Sequence, residues 1–132
     1  MTPVEFRRHL HRHPELSFRE TESARFIAEA LREAGIPCRP IAGTGVLAKI
    51  EGRGDLRRAV VLRADIDALP IREQSGAAWS SENDGVMHAC GHDIHAAVLY
   101  GTLLRLSAER NFEGTLFGIF PVSYTHLRAH ET

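Results

Sequence analysis

Cysteine is scarce in this chain. Cys38 and Cys90 are the only two among 132 residues, too few for a disulfide framework, so reduced thiols are expected even though one bridge between them stays open. An excess of charge of either sign is also missing. Sixteen basic residues face seventeen acidic ones, which leaves no basic stripe for a polyanion and argues against a nucleic-acid partner. No apolar run approaches the length of a bilayer crossing. The first twenty residues carry four arginines and three histidines without an apolar segment between them, so no membrane association is expected and the cytoplasm is the expected compartment. What is present is enough apolar content, 43%, to build one core, and the length sets one domain as the ceiling.

The first segment, "TPVEFRRHLHRHPEL", reads as a helix with Thr2 as N-cap, Pro3 at its first position and Glu5 in capping-box spacing, ended by Pro14. His9, His11 and His13 are two apart and spread around that helix, which assigns them to a solvated face, with one exception allowed near Pro14. A second helix is expected from Ser17 and Glu20, again in capping-box spacing. Its apolar face is Phe26, Ile27, Ala30, Leu31 and Ala34, and Gly35 and Pro37 stop it.

Short apolar runs at 38–41 and 46–50 are weak strands around "GTG". The run "AVVLRA" (59–64) is β-branched and nearly continuous, the pattern of a central strand buried on both faces. Residues 65–91 are rich in turn formers and too long for an idle connection, which marks a functional loop. Ile94, Ala97, Val98, Gly101, Leu104 and Ala108 recur at helical spacing and predict a helix from about 92 to 110, followed by a strand in "GTLFGIF" that ends the sheet. Strands alternating with helices predict an α/β fold with a mainly parallel sheet.

The chemistry concentrates in "MHACGHDIHAA" (87–97). Cys90 and His92 are two residues apart, a spacing that converges on one ion only in a turn, and Gly91 between them supplies the backbone freedom. A helix starting at His92 or Asp93 places Cys90 at its positive end, where a thiolate ligand is well accommodated. Asp65 and Asp67 follow the "AVVLRA" strand directly and belong at its carboxyl end, where open α/β sheets bind ligands. Asp93 is read equally as a helix cap, and His88 is assigned to the surface or to supporting contacts ahead of direct ligation. "D-I-D" read as a plain acidic loop leaves two carboxylates repelling each other, and a cation or a histidine relieves that.

Together "LHRHPELSFRETES", "VVLRADIDALPI" and "MHACGHDIHAAVLYG" resemble the metal-dependent amidohydrolases of the M20 peptidase group, in the branch of N-acyl-amino-acid, hippurate and auxin-conjugate hydrolases. The resemblance runs from about residue 4 to 120 in the family's order. It implies that residues 1–120 are the N-terminal part of a zinc-peptidase-like, three-layer α/β/α catalytic domain. In the family a smaller lid or dimerisation domain interrupts that domain, and two divalent ions share its site. Zinc or manganese suits such donors, with cobalt or nickel also compatible.

By resemblance, Cys90 bridges the ions and His92 is a terminal ligand, while Asp65 and Asp67 support the site and Asp93 and His95 contact the ligands. The substrate implied is a small N-acyl amino acid such as a hippurate. The resemblance allows a homodimer in the full-length family, one that is not expected to persist in this chain.

The family's general base and a further ligand are paired glutamates directly after the strand equivalent to "GTLFGIF". Here that strand is followed by "PVSYTHLRAHET", with no acid before Glu131. His126 and His130 stand at i, i+4 but are read as accidental, and residues 121–132 as a foreign tail. The function expected is therefore an inactive amidohydrolase fragment. A stand-alone metal-binding module is the alternative, and a redox role for Cys90 is weaker for want of a C-x-x-C motif. Sequencing the source locus across codon 121 is expected to show the native frame departing from this tail; a native frame that encodes it overturns the expectation.

Overall fold

A computed structural model describes residues 1–121; the expectations for the tail, His126 and His130 included, lie outside the described residues. The chain forms α1 (Pro3–Arg12), α2 (Thr21–Glu33), β1 (Cys38–Ile41), β2 (Gly45–Glu51), β3 (Ala59–Arg63), α3 (His92–Glu109) and β4 (Thr115–Phe120). Thr2 caps α1 as its sequence predicts, with Oγ1 accepting from the Glu5 amide at 3.1 Å.

The second helix starts later than the capping-box reading puts it. Ser17 does not cap it; its hydroxyl donates to Asp67 at 3.1 Å instead. The helix opens after Glu20, whose fully buried carboxylate accepts from the Phe18 amide at 2.8 Å and from Thr44 Oγ1 at 2.7 Å. Burial raises the Glu20 pKa, and these hydrogen bonds oppose the rise. Ile27, Ala30 and Leu31 are buried as expected, while Ala34 is exposed.

The sheet order is β1-β2-β4-β3. It is mixed rather than mainly parallel. A short turn joins β1 to β2 and makes that pair antiparallel, and β4 runs antiparallel to β2; only β3 and β4, separated by the long loop and α3, pair in parallel. β4 lies inside the sheet between β2 and β3 and does not end it. Among the described residues β3 is an edge, with Val60 and Val61 60% and 54% exposed, where the sequence predicts a central strand. A β-branched run states a strand's propensity, but burial depends on what packs against it, and that is not written within the run itself.

Even-numbered residues of the two inner strands face the helices. Val46 pairs with Phe120, Ala48 with Gly118 and Ile50 with Leu116, and all six belong to or border one core with Ile27, Leu31, Leu99 and Leu103. Of the three layers expected, the described residues build the sheet and one helical layer. α1 joins α3 through Phe6, whose ring stacks on Tyr100 at 4.3 Å and meets Phe26 at 5.2 Å. On α3 the buried face is Asp93, Ala96, Ala97, Leu99, Tyr100 and Leu103, whereas Ile94 and Val98, counted on the apolar face by spacing, are exposed. The helix is apolar on more than one side, so periodicity alone does not select the face that packs.

Gly114 sets the entry to β4. Its φ is +95°, and an added Cβ would lie 2.3 Å from the Arg58 carbonyl oxygen. Gly114→Ala is expected to destabilise the fold by about 2 kcal/mol or more, read as a lower urea midpoint; an unchanged midpoint would contradict this backbone geometry.

Candidate metal centre

β3 ends at Arg63, and the chain then carries Asp65 and Asp67 under the start of α3. That start is made by Gly91, in the left-handed region at φ +89°, the conformational freedom the sequence assigns to it. The turn delivers His92 to Asp67. Nδ1 of His92 lies 2.9 Å from Asp67 Oδ1 and 3.0 Å from the Asp67 carbonyl oxygen. Both oxygens only accept, so Nδ1 carries the proton and donates, which leaves Nε2 with its lone pair.

Asp67 is itself 6% exposed and receives the Ser17 hydroxyl on its other oxygen. Nε2 of His92 stands 4.0 Å from Asp65 Oδ2. That is too long for a hydrogen bond, yet two donors at about 2 Å from a shared ion are separated by roughly 3 to 4 Å. Arg63 occupies the other oxygen of Asp65 at 3.0 Å.

The described residues thus bring His92, Asp65 and Asp67 together. Cys90 is exposed and its thiol is free; Cys38 is also free, so no bridge joins the two, and burial raises the Cys38 pKa. No group of three or more His, Cys, Asp or Glu side chains among the described residues converges closely enough to enclose an ion. The donors present fit one side of a metal site, a lone pair on an oriented imidazole and a carboxylate oxygen facing it; the exposed Cys90 thiol, expected from the sequence to meet them, does not complete a group of three with them. His95 is exposed, with its ring centre 6.1 Å from that of His92.

Behind His92 the structure places a buried polar chain that the sequence did not reveal. Asp93 is fully buried and caps nothing; the N-cap position is Gly91. Its Oδ2 receives Arg7 Nε at 2.8 Å and His11 Nδ1 at 2.8 Å. His11 is 3% exposed, not on a solvated face, and its Nε2 meets Glu73 Oε2 at 2.9 Å. Burial pushes the Glu73 pKa up, but hydrogen bonds from Ser75, His11 and the Ser81 amide outweigh it and hold it at about 2.

A signal for His11 did exist. Residues 9, 11 and 13 cannot share one face of a helix, and His11 follows Leu10 on the stripe begun by Phe6 and Arg7. His9 instead stacks on Phe26 at 3.8 Å, and His13 meets Glu82 at 3.4 Å on the surface. His88 is 4% exposed, and neither ring nitrogen has a hydrogen-bond partner among the described residues. Its pKa is lowered to about 4, chiefly by burial, against the opposing charge of Asp93.

A model of the Peptidase family M20/M25/M40 matches residues 61–122. The chain is 49% identical over 109 residues to the N-acetyl-L-cysteine deacetylase of Bacillus subtilis, an alignment covering 82% of this chain and 26% of that protein. It is 48% identical over 109 residues to the N-acyl-L-amino acid amidohydrolase of Geobacillus stearothermophilus, covering 82% and 29%. Among solved structures, the YXEP protein of Bacillus subtilis, described as a dinuclear metal binding peptidase from the M20 family, superposes with a TM-score of 0.87 at 44% identity, over 92% of this chain and 35% of that one. The chain therefore spans between about a quarter and a third of the length of these relatives. With the three motifs folded around one His92–Asp67 pair in that architecture, the chain belongs to the M20 peptidase family.

Proposed function

We propose that residues 1–120 are the N-terminal part of the catalytic domain of a metal-dependent amidohydrolase that cleaves the amide bond of N-acyl amino acids, hippurate-like compounds included. The observation that carries this reading is the Asp67–His92 pair, with Nδ1 bound at 2.9 Å and Nε2 left facing Asp65 Oδ2. Support for the substrate class comes from the named relatives, a deacetylase of N-acetyl-L-cysteine and an N-acyl-L-amino acid amidohydrolase. Two free cysteines agree with a reducing, cytoplasmic setting, and no helix among the described residues is long and apolar enough to cross a membrane.

Cys90 and His92 would hold the divalent ions, two in the complete enzyme, with zinc or manganese first and cobalt or nickel also suited to the donors. When bound, such ions polarise the amide carbonyl and bring the pKa of a water nucleophile towards neutrality. The chain's own residues prepare that place. Asp67 fixes the tautomer and ring plane of His92 and strengthens Nε2 as a donor to an ion. Ser17 holds Asp67, and Arg63 restrains Asp65.

No glutamate follows Phe120 before Glu131, so in this reading the paired glutamates that supply the family's proton acceptor are absent from the positions directly after β4. Residues 121–132 are a foreign tail in this reading.

Isothermal titration of the 132-residue chain with Zn²⁺ or Mn²⁺ is expected to show binding that His92→Ala abolishes and Asp67→Asn weakens about 10- to 100-fold. A folded chain that binds neither ion, or binds them equally well without His92, defeats the metal-centre reading. Turnover of N-acetyl-cysteine or N-benzoylglycine by the same chain is expected to fall at least about 10² to 10⁴ below that of an enzyme with its general base. Full activity would refute the assignment of the missing glutamate as base.

A further inference from the structure

The two residues of the candidate centre come from segments 25 positions apart, and neither segment is held in place by the sheet alone. Both dock on the same stretch of chain, residues 7–17. On one side, the Ala68 amide donates to the Glu15 carbonyl at 2.8 Å, Leu16 bridges Ala68, and Ser17 donates to Asp67. On the other, Arg7 and His11 take Asp93, the residue next to His92, with two bonds of 2.8 Å onto one oxygen. His11 then continues to Glu73, which also receives the Ser81 amide at 2.6 Å, so a single imidazole ties the first turn of α3 to the middle of the loop.

Carboxylates accept and do not donate, so each ring nitrogen of His11 must donate for both bonds to form. A buried chain of charged groups is a poor choice if stability is the sole requirement. Apolar residues of similar volume commonly serve as well or better, and such chains are best explained where one particular arrangement has to be selected. Here the arrangement selected is the rotation of α3's first turn relative to the loop that carries Asp67.

We propose that His11 is a positioning residue of the metal centre, acting through Asp93 on the placement of His92 and through Glu73 on the loop behind Asp67. This rests on the metal-centre reading above. Arg7 completes the clamp as the second donor to Asp93. His11 touches neither ion nor substrate; it sets the distance between the Nε2 lone pair and the opposing carboxylate. Removing it lets the two segments settle independently, so metal affinity falls even where the fold persists.

The test uses the full 132-residue chain with Co²⁺ as probe, followed by calorimetry and by the visible spectrum of the bound ion, alongside thermal melts. The variants are His11→Gln, Glu73→Gln and Arg8→Ala. Arg8 lies 4.0 Å over the Trp79 ring and pins the same loop without joining the chain of bonds to Asp93. His11→Gln and Glu73→Gln are expected to lose about 10- to 100-fold in Co²⁺ affinity with an altered spectrum. Arg8→Ala should lower the melting temperature while leaving affinity within about twofold.

If both Gln variants fold and bind like the wild type, or if all three lose affinity in step with their melting temperatures, the proposal is overturned while the metal centre stands. If the wild-type chain takes up no Co²⁺, the metal-centre reading fails and the proposal goes with it. Should His11→Gln fail to fold, Glu73→Gln against Arg8→Ala decides alone.

Discussion

A single hydrogen bond, from His92 Nδ1 to Asp67, gives the rest of this structure its chemical meaning. It is 2.9 Å long and largely shielded from water, since His92 and Asp67 side chains are 18% and 8% exposed. Shielding strengthens it and at the same time makes each partner costly to leave alone. By taking up Nδ1 it decides which nitrogen of the ring is free, and that choice separates a histidine able to hold a cation from one that only fills space. The Ser17 hydroxyl donates to the other carboxylate oxygen of Asp67 and so holds the acceptor of this bond in place.

The fold supplies the two partners by different routes. Asp67 rides on the chain leaving β3, a strand whose register is set by its parallel pairing with β4. His92 begins α3, whose far side is fixed by Tyr100 and Leu103 in the core. Between the two routes lies a loop of more than twenty residues with hardly any regular structure. Hydrogen bonds to the end of α1 and its extension, a cation–π contact between Arg8 and Trp79, and the Glu73 cluster hold it down. Such a loop buries little apolar surface, so its conformation is only as defined as these polar contacts make it.

Much of the architecture was legible in the residues. The N-cap at Thr2, the stop at Pro14, the β1–β2 turn, the span of α3 and the positive φ of Gly91 all follow from local chemistry, and each is present. Asp65, Asp67 and His92 also gather as their spacing and order imply. What failed to show was whatever depends on a distant neighbour. Ser17 and Glu20 have the spacing of a capping box, yet they serve Asp67 and Thr44. β3 has the composition of an interior strand and lies at an edge of the sheet that the described residues form. His11 looks like one of three surface histidines and is the most deeply engaged of them.

Local order, the limits of α1 and α3, strand propensity and the kind of donor available to a cation were determined by the sequence itself, because each depends on backbone preferences and on groups a few residues apart. Tertiary structure decided strand order, which face of α3 is covered, and above all that Asp93 and Glu73 meet on opposite nitrogens of His11, 82 and 62 positions away. Partners so far apart along the chain leave no periodicity to detect; only packing brings their charges within hydrogen-bonding distance, and only there does burial make each depend on the other.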